Sequence, residues 1–128
     1  MEELKIGLRG RAETVVDPQN VAAAMGSGAL PVVATPALLG LMEKAAWEAV
    51  QPCLAPGQAT VGTHIELDHL AASPLGAQVW AEATLEEIDR RRLRFSVRAF
   101  CGGEEIGRGV HDRFIVDAAR FMAKAERK

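Results

Sequence analysis

The chain leans to neither charge. Fifteen Lys and Arg stand against seventeen Asp and Glu among 128 residues, a net charge of −2, and the two signs are mixed along its length. A basic face for nucleic acid or for an anionic membrane surface is therefore not expected. Long apolar runs are also missing. MEELKIGLRG carries no segment resembling a secretory signal, and nothing further on is long enough to span a bilayer. There are two cysteines, Cys53 and Cys101, and they form neither a CxxC pair nor a zinc-type spacing. His64, His69 and His111 lack the paired spacing of metal ligands, so no metal site is expected. GxSxG, Walker and GxGxxG signatures are absent. Reduced thiols in a cytoplasmic protein, with no cofactor of its own, are the expectation.

What is present is an ordinary globular composition, 48% apolar and 25% charged, in a chain sized for one domain with one core. No repeat, low-complexity tract or linker divides residues 1 to 128. The reading runs in order: an extended segment over residues 4 to 16 ending in ETVV, a short helix in DPQNVAAAMG behind an Asp17 cap, and the loop GSGALP. A long helix follows from Pro36 to about Val50, with Thr35 as its N-cap and Gln51-Pro52 as its end. Leu38, Leu39, Met42, Ala45, Ala46, Ala49 and Val50 make one broad apolar face on that helix.

The rest reads as strands. In VGTHIELDHL, simple alternation places Val61, Thr63, Ile65, Leu67 and His69 on one face and Gly62, His64, Glu66 and Asp68 on the other. AQVWAEATLEEID presents Val79, Ala81, Ala83 and Leu85 to one side. RLRFSVRAF sets Leu93, Phe95, Val97 and Ala99 against Arg92, Arg94, Ser96 and Arg98. Gly102-Gly103 marks a hairpin, EEIGRGVHDRFIVD is the last strand, and DAARFMAKAERK is a closing helix capped by Asp117. One apolar helix and five antiparallel strands have an economical solution: an α+β hotdog, the sheet curled around the helix. A small sheet of this kind leaves open edges, and pairing with a second copy closes one of them. A homodimer is expected.

Two residues stand out against this pattern. Glu43 belongs neither to the apolar face nor to the wet face marked by Lys44 and Glu48. Its helical neighbours are Leu39, Gly40, Ala46, Trp47 and Val50. His69 lies on the strand face that should meet the helix. Each alone is ordinary: a rim carboxylate reaching water, a satisfied core histidine. Together they are a histidine facing a carboxylate, a pair suited to proton transfer. Thr35 sits at the positive end of the helix, as a cap or as a contact for an oxyanion. Eight residues separate Thr35 from Glu43, roughly 12 Å along a straight helix, so a centre using both needs a long substrate or a second subunit. Gly62 offers a bulge or an unhindered backbone N–H. Arg113 shares a face with His111 and Ile115, where pairing with a surface acid is the usual fate. The run DRRRLR at residues 89 to 94 reads as a solvated hairpin tip or as a phosphate-binding fringe for coenzyme A.

The stretches VVATPALLGLMEKAAW, GTHIELDHLAASPLG and EEIGRGVHDRFIVDAARFMAK resemble the fluoroacetyl-CoA thioesterase-like branch of the hotdog superfamily. The likeness runs from ETVV at 13–16 through FMAK at 121–124. It rests on an A-T before the helix, L-M-E within it, a G-T strand ending in His, and an H-x-R in the last strand. The resemblance implies a catalytic group of Thr35, Glu43 and His69. It also implies that Gly62 holds the thioester carbonyl, that Arg113 lines the site, and that acyl-CoA is hydrolysed at a homodimer interface. One departure is informative. The fluoroacetyl-specific enzyme carries phenylalanines before the A-T, whereas AAAMGSGALPVV here has no aromatic. Thioester hydrolysis is thus expected without that enzyme's selectivity. A non-catalytic acyl-CoA sensor or carrier is the main alternative and a hotdog dehydratase a weaker one.

Overall fold

The computed structural model describes residues 3–128. In chain order they form β1 (Arg9–Val15), α1 (Ala22–Met25), α2 (Thr35–Val50), a short 3₁₀ turn (Gln51–Cys53), β2 (Gln58–His69), β3 (Gln78–Asp89), β4 (Arg92–Cys101), β5 (Glu104–Asp117) and α3 (Ala118–Glu126). All five strands join one antiparallel sheet in the order β1-β3-β4-β5-β2. The sheet curls about α2, which packs chiefly on β1 and β3. Among the described residues no helix is long and apolar enough to cross a membrane.

Alternation decides the two central strands. Val79, Ala81, Ala83 and Leu85 of β3, and Leu93, Phe95, Val97 and Ala99 of β4, are all buried beneath the helix. On the convex face the arginines of β4 are held by acids: Arg94 makes two hydrogen bonds to Asp112, at 2.8 and 3.0 Å. From α2 the core receives Leu38, Leu41, Met42, Ala45, Ala46, Ala49 and Val50. The buried stripe thus includes Leu41, while Leu39 lies at its margin. The alanines matter, because they let β1 approach the helix closely. A Cβ on Gly10 would run into the Ala45 carbonyl oxygen and lie 2.7 Å from the Ala49 Cβ. Both are parts of a packed helix that cannot swing aside. Gly10→Ala is therefore expected to cost about 1–3 kcal/mol, read as a lowered Tm in thermal unfolding; an unchanged Tm would mean that β1 and α2 are free to separate.

Two local expectations need correcting. Asp17 does not cap α1. Its carboxylate accepts from the backbone N–H groups of Gln19 and Asn20 in a turn, and the four-residue α1 starts later, after Val21. Proline at position 18 and the Asp17 side chain together favour that tight turn over an immediate helix. The second correction concerns β2. Gly62 lies opposite Arg113 and His64 opposite Asp112, so two residues of β2 advance against one of β5, and Thr63 is the extra residue of a bulge. The bulge reverses the parity of the strand. Gly62 then faces the helix together with Ile65, Leu67 and His69, while Val61 turns away. The closing helix behaves as read: Asp117 accepts the Arg120 N–H at 3.0 Å and caps α3.

Candidate active site

The start of α2 holds the first group. The helix N-cap is Ala34, without a side-chain cap, and Thr35 is already the first helical residue. Its hydroxyl, freed from capping, lies 2.9 Å from Nδ1 of His69. His69 ends β2 on the inward face, so the strand delivers the imidazole to the beginning of the helix. Its Nε2 is buried and has no hydrogen-bond partner among the described residues. Burial lowers the His69 pKa below 6.5, with a backbone contact to Ala71 opposing the shift. A pocket of about 360 Å³ opens beside the pair, lined by Ala22, Val32, Val33, Leu70 and Ala71 among others. The aromatic-free segment before the helix thus contributes only small side chains to the wall, Ser27 among them.

The second group sits two turns along α2. Glu43 keeps 39% of its side chain exposed, and its Oε2 lies 3.5 Å from Nη1 of Arg113 and 4.0 Å from Nε2 of His111. Arg113 is not the surface arginine that its sequence context suggests. It is only 7% exposed. Its Nε donates to the Thr60 hydroxyl at 2.9 Å and its Nη2 to the Thr60 carbonyl at 3.1 Å. Behind them His111 is 1% exposed and stacks on Phe95. Gly62 is where the carboxylate finds room: a Cβ there would stand 2.6 Å from Glu43 Oε2. Trp47, Gly40 and Lys44 border the open side of this cluster.

One chain therefore brings Thr35 to His69, and Glu43 to Gly62 and Arg113, but keeps the two sets apart. They are separated by eight positions of α2, roughly 12 Å, and by seven positions of β2 from Gly62 to His69, one of them the bulge, roughly 20 Å. His64, on the outer face, pairs with Glu66 and belongs to neither. The sequence reading overlooked His111 and Thr60. The available signal for His111 was its place four residues before Ile115, on the same strand face. Thr60 had none until the bulge was known.

The architecture is that of the hotdog thioesterases. A solved structure of the fluoroacetyl-CoA thioesterase superimposes with a TM-score of 0.92 at 34% identity, covering 99% of this chain and 98% of that one. A Thermus thermophilus hypothetical protein described as a thioesterase superfamily member gives 0.91 at 29% identity, over 99% and 94%. In sequence, the fluoroacetyl-CoA thioesterase of Streptantibioticus cattleyicolor is 41% identical over 97 residues, 76% of this chain and 70% of that protein. Residues 16–119 match the family model of the fluoroacetyl-CoA-specific thioesterases, and the chain belongs to that family.

Proposed function

We propose that the protein hydrolyses a short acyl-CoA thioester at a centre built from two copies of the chain, Glu43 and Gly62 from one and Thr35 and His69 from the other. The observation that carries this reading is the separation of the two groups within one chain, combined with the open edge of β2, the last strand of the sheet. Two copies of β2 paired antiparallel about a two-fold axis through Glu66, with Thr63 bulged out of the ladder, would set Gly62 opposite the partner's His69. Both residues face inward, so both sets of side chains would meet on the same side of a continuous sheet.

The chemistry follows from the groups brought together. Glu43 supplies the carboxylate, either attacking the thioester carbonyl to give an acyl-enzyme or drawing a proton from water that attacks it. The Gly62 backbone N–H and the Thr35 hydroxyl would donate to the oxyanion. Collapse of the tetrahedral species breaks the C–S bond and releases the thiolate. Neutral His69 takes the proton given up by the attacking water, directly or through Glu43, and passes it to that thiolate, so that the imidazole ends the cycle neutral. In the acyl-enzyme route water then cleaves the acyl–Glu43 bond and restores the carboxylate. Arg113 keeps that carboxylate oriented. No metal or redox group enters, and coenzyme A takes part only as the leaving group.

The reading is tested by free-thiol release from a panel of acyl-CoAs, acetyl, propionyl, fluoroacetyl, longer and aryl. Release from the short members supports it. Tight acyl-CoA binding with no release anywhere in the panel would contradict it. A pH profile adds a second check. The imidazole of His69 must be neutral at the start of the reaction if it is to move a proton, and its pKa is lowered. The acid limb of kcat/KM is therefore expected to be centred below pH 6.5, with activity lost as the pH falls through it. A limb centred above pH 6.5 would mean that the histidine is not held in this desolvated site.

A further inference from the structure

His111 takes no part in the thioester chemistry above, yet it is the most deeply buried ionisable side chain around Glu43. Its hydrogen bonds define its form. Nδ1 lies 2.8 Å from the carbonyl oxygen of His64, an acceptor only, so Nδ1 carries the proton and donates. Nε2 is then a lone pair, and Nη1 of Arg113 lies 3.2 Å from it as donor. The same Nη1 faces Glu43 Oε2 at 3.5 Å. The bulge at Thr63 is part of this arrangement, because the His64 carbonyl that receives Nδ1–H belongs to the residue immediately after the extra one.

The guanidinium is accordingly fixed on all its sides. Thr60 holds Nε and Nη2, and His111 holds Nη1. Thr60 alone would leave the Nη1 edge, the one that meets the carboxylate, without a second anchor. We propose that His111, neutral and protonated at Nδ1, is a positioning residue for hydrolysis: its Nε2 lone pair orients Arg113 so that Nη1 presents one N–H to Glu43. The proposal rests on Glu43 being the reacting carboxylate.

Electrostatics run the same way. A proton on Nε2 would place two cations against each other and break the contact. The charged and titratable groups facing His111 are Arg113 and Asp112 on its own strand and Glu43 from α2, with the His64 carbonyl from β2. Phe95 from β4 brings no charge. Burial is the main cause that lowers the His111 pKa, and Arg113 adds to it.

Two substitutions separate positioning from packing. His111→Gln can keep an acceptor near the Nε2 position, and His111→Asn can keep a donor near the Nδ1 position. The proposal predicts that His111→Gln retains kcat within about threefold, and that His111→Asn loses roughly 100-fold in kcat with KM little changed, the penalty of a misaligned reacting group. Both should show comparable Tm values. Equal activity in the two variants, or activity that follows Tm rather than the acceptor, would overturn it. Nitrogen-15 NMR of the wild-type imidazoles is the readout that needs no turnover. A neutral Nδ1–H tautomer for His111, persisting below pH 6.5, supports the assignment; an Nε2–H tautomer or a charged ring at pH 7 contradicts it. Silence of the wild-type enzyme on every acyl-CoA would instead count against the hydrolase reading, and the NMR result would still decide the state of His111.

Discussion

Glu43→Gln is expected to lower kcat for acyl-CoA hydrolysis by about a thousandfold or more, with little change in Tm. Glutamine is nearly isosteric with glutamate but neither attacks the carbonyl nor accepts a proton from water. Losing a nucleophile or a general base at this point removes the step itself. The fold should hardly notice. Glu43 is half-exposed, and Arg113 keeps its bonds to Thr60 and His111 when the carboxylate goes. Binding of the coenzyme A portion should also persist, so KM or a measured Kd should stay within a few fold. Steady-state thiol release and thermal unfolding of the variant make the check. A variant within tenfold of wild type would remove Glu43 from the chemistry.

The second large effect belongs to Gly62→Ala. A Cβ at this position would lie 2.6 Å from Glu43 Oε2, 3.3 Å from His111 Cε1 and 3.4 Å from Arg113 Nη1. The closest of these is the end of a flexible side chain, so the protein should fold and the carboxylate should be the part that moves. Moving a reacting group by about 1 Å costs on the order of 100-fold, and that is the expected loss in kcat. The substitution also separates two reasons for a glycine here. Alanine keeps the backbone N–H, so a residue needed only as a main-chain donor would tolerate it. Loss of turnover with a near-native Tm identifies clearance for the carboxylate as the reason, whereas full activity would leave only the donor role.

How much of this was legible beforehand follows from what each pattern encodes. β3 and β4 alternate cleanly because they are covered by the helix on one side and wetted on the other, so their inward residues could be read directly. The apolar stripe of α2 and the Asp117 cap were readable for similar reasons: both depend on neighbours close in sequence. β2 was harder. A single inserted residue reverses every later side chain, and nothing local to Gly62-Thr63-His64 signals that Thr63 is the extra one. Alternation therefore set Gly62 and His69 on opposite faces, when the bulge puts them on the same one. Thr35 next to Pro36 has the local chemistry of an N-cap, but tertiary packing gives its hydroxyl a hydrogen-bond partner in His69. The burial of Arg113 was invisible for the same reason. Its partners Thr60, His111 and Glu43 come from three elements, and only the assembled fold brings enough of them together to hold a charge away from water.

The spacing between Thr35 and Glu43 was the exception, a long-range inference available from helix geometry alone. It carries the central claim that the reacting groups meet across two chains. The most direct test mixes two inactive variants, Glu43→Gln and His69→Ala, with different affinity tags, and isolates the species that carries both. In such a heterodimer one centre combines the intact Glu43 of the His69→Ala chain with the intact His69 of the Glu43→Gln chain. The other centre carries both lesions. One working centre of two predicts about half the wild-type kcat per dimer, from components that are inactive on their own. If the isolated heterodimer is as inactive as its parents, each chain houses its own complete centre and the shared-site account is wrong.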